Sequence, residues 1–170
     1  IREKLDAGGT LLLINAEGGI GKTTLAAKYW EESLYKYKHN AWLFCENGIV
    51  ESLKKLAPEL NVTLTGLNEQ QQIEALKRGL LKVHDDLLLV LDNAETIAGR
   101  ADFIVAWAAH CALLSVLVTS REPLGFVGET LLHVEGLTSS GEGDSPTLEL
   151  FVHEARQKLP TFVVTEAQIP

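Results

Sequence analysis

Four short runs in this chain are apolar at every position or nearly so, and they restrict the fold more than any other feature. Thr10–Asn15 reads TLLLIN, Ala41–Cys45 AWLFC, Leu87–Leu91 LLLVL and Val116–Thr119 VLVT. A strand with one wet face alternates apolar and polar residues; a continuous run belongs to a strand covered on both faces. Leu131–Val134 is a weaker fifth candidate. Helical stretches are expected between the runs, near Lys22–Leu34, Ile49–Leu56, Glu69–His84 and Arg100–Cys111. Strand alternating with helix implies parallel βαβ units and an α/β sheet with helices on both faces. With 170 residues, 46% of them apolar and 22% charged, the chain is long enough for one domain with a substantial core.

The loop after the first run carries the chemistry. Ala16-Glu17-Gly18-Gly19-Ile20-Gly21-Lys22-Thr23-Thr24 follows an expected strand and opens an expected helix. Such a loop wraps phosphate in backbone N–H groups, and its glycines let the backbone approach closely. The helix N-terminus adds unpaired donors and a favourable dipole. Lys22 is placed to reach the β- and γ-phosphates, the Thr23 hydroxyl to ligate Mg2+, and Thr24 to touch the α-phosphate. Glu17, Gly18, Gly19, Ile20 and Gly21 form the cradle. The strict pattern begins with Gly, and Ala16 stands there instead.

Two further runs end in residues suited to the same ligand. Leu87–Leu91 closes on Asp92, a rigid dry strand delivering one carboxylate to Mg2+. Asn93 follows, where many ATPases place a second acid, and an amide is a poor base. Glu95 is a candidate for polarising the attacking water; it is equally a candidate for the acidic first turn of the next helix. Val116–Thr119 runs into Arg121, which is positioned to contact the γ-phosphate. All three sites fall at carboxyl ends of strands, the edge of an open α/β sheet where ligands bind.

Charge and composition narrow the partners. The net charge is −8 and the pI near 5.1, and the only dense basic spots are Lys36 with Lys38 and Lys54 with Lys55. This speaks against direct nucleic-acid binding by these residues. No apolar run approaches the roughly 18 residues needed to span a bilayer, so a cytoplasmic location is expected. Cys45 and Cys111 read as reduced core thiols, and the five histidines lack ligand spacing. Ser139–Ser145 reads as a loop, and Thr147–Lys158 as an amphipathic helix stopped by Pro160. The start at Ile1 is read as that of a fragment.

Glu17–Ala26 (EGGIGKTTLA), Leu88–Glu95 (LLVLDNAE) and Val118–Gly125 (VTSREPLG) resemble the NB-ARC branch of the STAND nucleotide switches, nearest to the ATPase modules of large bacterial AfsR/LuxR-type regulators. The resemblance spans about Ile1 to Pro160. It implies a three-layer P-loop NTPase with a five-stranded parallel sheet, ATP and ADP as ligands with Mg2+, and a switch between closed and open assemblies. Within it Lys22 is a phosphate residue, Thr23 and Asp92 are magnesium residues, and Arg121 is a sensor. It divides the chain into a nucleotide-binding core at 1–137 and a segment at 138–170 leading towards an ARC-type subdomain. The expected partners are nucleotide, sensor and effector domains of the same polypeptide, and further copies of the full-length protein. A slow ATPase that resets a signalling state is the leading reading. A catalytic P-loop ATPase, as motor or phosphotransferase, and a nucleotide-holding scaffold without hydrolysis are the alternatives.

Overall fold

A computed structural model describes residues 1–5, 11–97, 102–125 and 128–135. The chain divides into two compact units, Ile1–Val134 and Glu135–Pro170, and the description concerns the first. The Ser139–Ser145 loop and the Thr147–Lys158 helix lie outside the described residues.

Five parallel strands form one sheet: β1 (Leu11–Asn15), β2 (His39–Phe44), β3 (Leu87–Asp92), β4 (Leu114–Ser120) and β5 (Thr130–His133), in the order β2-β3-β4-β1-β5. The expected α/β architecture is therefore present, including the weakly signalled fifth strand. β3 and β4 are buried at every position, as their unbroken apolar sequences require. β2 lies at the rim, which explains its more polar start at His39 and Asn40, two residues ahead of the expected boundary.

The described helices are α1 (Arg2–Leu5), α2 (Lys22–Ser33), α3 (Ile49–Lys54), α4 (Glu69–Leu80) and α5 (Asp102–His110). Successive strand residues point to opposite faces, and two cores result. Leu12, Ile14, Leu88, Val90 and Leu117 pack with Leu5 of α1 and with Ala26 and Tyr29 of α2. Leu13, Leu43, Leu89, Leu91, Val116 and Val118 pack with Leu53 of α3, Leu76 of α4 and Trp107 of α5. Helices thus cover both faces. On the first face an edge-on pair, Trp30 and Trp42 with ring centroids 5.7 Å apart, continues outward to the exposed Phe44.

α4 begins with a reciprocal cap. The Asn68 side chain accepts from the Gln71 N–H, and the Gln71 side chain accepts from the Asn68 N–H. The helix ends at Leu80, four residues short of the expected His84. Lys82 and Val83 donate to Gly79 and Leu80, three residues back, so the last turn tightens and stops.

Candidate functional site

The loop from β1 to α2 is built around its own lysine. Gly19 and Gly21 have φ of 82° and 97°, a left-handed conformation that a Cβ disfavours. Gly21 caps α2 without any side-chain bond, so the first helical N–H groups face outward with no capping oxygen. Lys22, 8% exposed, folds back and donates from Nζ to the carbonyls of Ala16 (2.8 Å) and Glu17 (2.7 Å). Ala16 occupies the position of the usual first glycine at no conformational cost. It is buried, and among the described residues other than glycine only Asn61 and Asn93 have positive φ. Glu17, Gly18, Gly19, Thr23 and Thr24 are exposed, and Ile20 is half-buried.

Asp92 closes β3 and is only 1% exposed. A buried carboxylate needs partners, and Oδ1 accepts from the hydroxyls of Thr23 (2.9 Å) and Thr119 (2.5 Å). Thr23 and Asp92 are 69 residues apart in sequence, yet their oxygens stand where one cation can meet both. Two hard oxygen donors of this kind would suit a small divalent cation such as Mg2+, for which Thr23 and Asp92 would be the protein ligands. No group of three or more His, Cys, Asp or Glu suited to a metal occurs among the described residues.

Arg121 follows β4 and is anchored at three points. Its Nε pairs with Glu95 Oε1 at 3.1 Å, its N–H donates to Glu95 Oε2 at 3.3 Å, and its carbonyl accepts from Asn15 Nδ2 at 2.9 Å. A Cβ added to Gly18 would lie 3.9 Å from Arg121 Nε and Cζ, so the guanidinium rests against the phosphate loop. Glu95 is thus a partner of Arg121, with both of its oxygens engaged.

Three residues with no role assigned from the sequence complete the cluster. Thr119 links strands, accepting from the Asn93 N–H at 3.1 Å while donating to Asp92. Asn15 fixes the backbone of Arg121. Glu46 sits in a short 3-10 turn, Cys45–Asn47, just beyond β2, and its Oε1 accepts from Asn93 Nδ2 at 3.0 Å. The only local signal for Glu46 is an acid one residue past an apolar run. Between these groups lies Cys45, fully buried; burial first, then the charges of Asp92 and Glu95, push its thiol up to about 12.

No family model matches the chain. A Mycobacterium tuberculosis (strain ATCC 25618 / H37Rv) protein named "Putative HTH-type transcriptional regulator" is 29% identical over 161 residues, which cover 91% of this chain and 17% of that protein. A second M. tuberculosis protein, whose name assigns no function, is 25% identical over 156 residues, covering 91% of this chain and 38% of its own length. The chain therefore spans only a minor part of these relatives. Among solved structures, the Aeropyrum pernix ORC1 protein in complex with DNA superposes with a TM-score of 0.63 at 18% identity, over 88% of this chain and 44% of the other. A STAND protein with a tetratricopeptide repeat sensor from Pyrococcus horikoshii gives 0.54 at 20% identity, over 95% and 25%. The replication initiator DnaA bound to AMPPCP and single-stranded DNA gives 0.56 at 15% identity, over 98% and 52%. The parallel five-stranded sheet with its strand order, and these likenesses, define the chain as having the P-loop NTPase fold.

Proposed function

We propose that this chain is the ATP- and ADP-binding switch module of a larger regulatory protein, of the NB-ARC/STAND type and nearest to AfsR/LuxR-type regulators. The observation that carries the reading is the Thr23 Oγ1–Asp92 Oδ1 contact of 2.9 Å. It joins the loop to the end of β3, and Thr23 and Asp92 would hold Mg2+, which when bound would neutralise charge on the β- and γ-phosphates. Lys22 Nζ, held on two loop carbonyls, exchanges them for phosphate oxygens. Arg121, resting at Gly18, is placed to meet a γ-phosphate and so to distinguish ATP from ADP. Thr24 and the N–H groups of residues 17–21 complete the cradle. A switch needs such a differential contact, because a ligand shifts a conformational equilibrium only by binding the two states unequally.

The regulator-named relative, of which this chain spans a small part, favours sensor and effector domains in the same polypeptide, with any DNA contact made outside these residues. In this reading 1–137 is the nucleotide core, 138–170 leads towards an ARC-type subdomain, the full-length protein self-assembles, and it works in the cytoplasm. No helix among the described residues is long and apolar enough to cross a membrane. Hydrolysis is slow and resets the state.

Calorimetry with ATP and Mg2+ tests the reading. The chain is expected to bind ATP, and Lys22→Ala to weaken binding by about tenfold to a hundredfold, since a charge-assisted phosphate contact is worth about 1.5–3 kcal/mol. Unchanged affinity in Lys22→Ala overturns the site.

A further inference from the structure

If the chain hydrolyses ATP, a carboxylate is the natural group to take the proton of the attacking water, and the two polar residues that follow Asp92 in sequence, Asn93 and Glu95, do not offer a free one. Asn93 is an amide. Glu95 is an acid, but Arg121 engages both of its oxygens. Glu46 differs on each count. It is exposed, and hence reachable by water. One oxygen accepts from Asn93 Nδ2, and no other hydrogen bond to its carboxylate occurs among the described residues.

Its placement follows from sheet register. β2 and β3 pair in parallel with Phe44 beside Asp92, so the chain segments that continue past them, Cys45–Glu46 and Asn93, run on side by side at the carboxyl edge. Asn93 turns there with φ 58°, a left-handed conformation that Asn tolerates better than most residues, and this aims its amide across the gap. Its N–H is tied to Thr119 and its carbonyl accepts from Thr96 Oγ1 at 3.1 Å. The same Thr96 hydroxyl also reaches the Cys45 carbonyl at 2.8 Å, bracing the Glu46 turn against the Asn93 turn. The Asn93 backbone is therefore held on both sides, and its side-chain amide donates to Glu46.

We propose that Glu46 is the base that activates water for ATP hydrolysis and that Asn93 is its positioning residue. The usual order of an acid directly after the β3 carboxylate is thereby reversed, with the acid delivered from β2 and the amide from β3. The inference rests on the ATP-binding reading above. Water oxygen bonds to the γ-phosphorus while the bond from that phosphorus to the β–γ bridging oxygen breaks, and the bond's electron pair leaves with ADP. The water proton passes to the Glu46 carboxylate and from there to phosphate or solvent.

Single-turnover hydrolysis measured alongside equilibrium ATP·Mg2+ binding tests this. In Glu46→Gln, affinity is expected to stay within about threefold while the hydrolysis rate falls by about a hundredfold or more, the usual weight of a positioned base. Glu95→Gln is expected to cost less than about tenfold in rate. Asn93→Gly keeps the backbone free to hold positive φ and removes only the amide; it is expected to slow hydrolysis by about tenfold at unchanged affinity. The double variant Glu46→Gln/Asn93→Gly should be no slower than Glu46→Gln alone, a non-additivity that a merely structural role for Asn93 would not produce. Wild-type rates in Glu46→Gln, a dominant loss in Glu95→Gln, or a wild-type chain that binds ATP yet never releases phosphate each overturn the assignment while leaving nucleotide binding intact. Failure of the wild-type chain to bind ATP overturns both.

Discussion

Lys22 and Asp92 are the two buried charges of the site, and each is held by oxygen partners that a bound nucleotide would share or replace. Lys22 donates to the carbonyls of its own loop, so the loop stands folded around an ammonium. Asp92 carries two hydroxyls on one oxygen. Thr119→Val keeps the shape at that position and removes one of them, leaving the Asn93 N–H without its acceptor as well. It is expected to destabilise the fold by about 1–3 kcal/mol, read as a lower urea midpoint. Cys45 sits among the same carboxylates with its thiol pushed up to about 12. That raised pKa keeps the thiol neutral in the folded state, while an unfolded thiol ionises near 9. The thiol's contribution to stability is therefore complete below about pH 9 and lost as pH rises from there towards 12. Alkylation followed by mass spectrometry at pH 8 should label the half-buried Cys111 about tenfold faster than Cys45. Cys45 labelling should continue to rise with pH well beyond 9.

At the scale of elements, what could be foreseen depended on how local the determining physics is. β3 and β4 announce themselves because a strand buried on both faces must be apolar throughout, and LLLVLD and LSVLVTS are nearly so. The phosphate loop was equally legible, since its glycines and lysine are contiguous. Glu46, Thr119 and the Glu95–Arg121 pair were not, because each matters only through the register of strands whose pairing is set by long-range packing. The small residue required on α4 is likewise set by non-local packing. Gly79 faces the segment before the helix, and a Cβ there would come within 2.7 Å of Val62 Cγ2 and 3.0 Å of Leu60 Cβ. Gly79→Ala gains about 1 kcal/mol of helix propensity, but the contact with a branched side chain forces a backbone shift costing about 1–3 kcal/mol. The net expectation is a lower melting temperature, checked by thermal denaturation followed by circular dichroism.

For the whole molecule, the strand order puts β4 between the strand that feeds the phosphate loop and the strand that ends in Asp92. Arg121 continues from that central strand, so a γ-phosphate drawn to it would act on the middle of the sheet. ATP at a hundred times its dissociation constant is expected to stabilise the fold by about 2.7 kcal/mol. Arg121→Ala should bring the thermal shifts given by ATP and ADP close together, and retention of the wild-type difference would remove Arg121 from the sensing role. The indole of Trp42 has its own bearing on such measurements. It is half-buried against Trp30, its Nε1 has no hydrogen-bond partner among the described residues, and its strand runs on through Phe44 to Glu46. The chain consequently carries a fluorophore four residues from Glu46, and if nucleotide binds at this edge, Trp emission is a label-free optical probe of its arrival and departure.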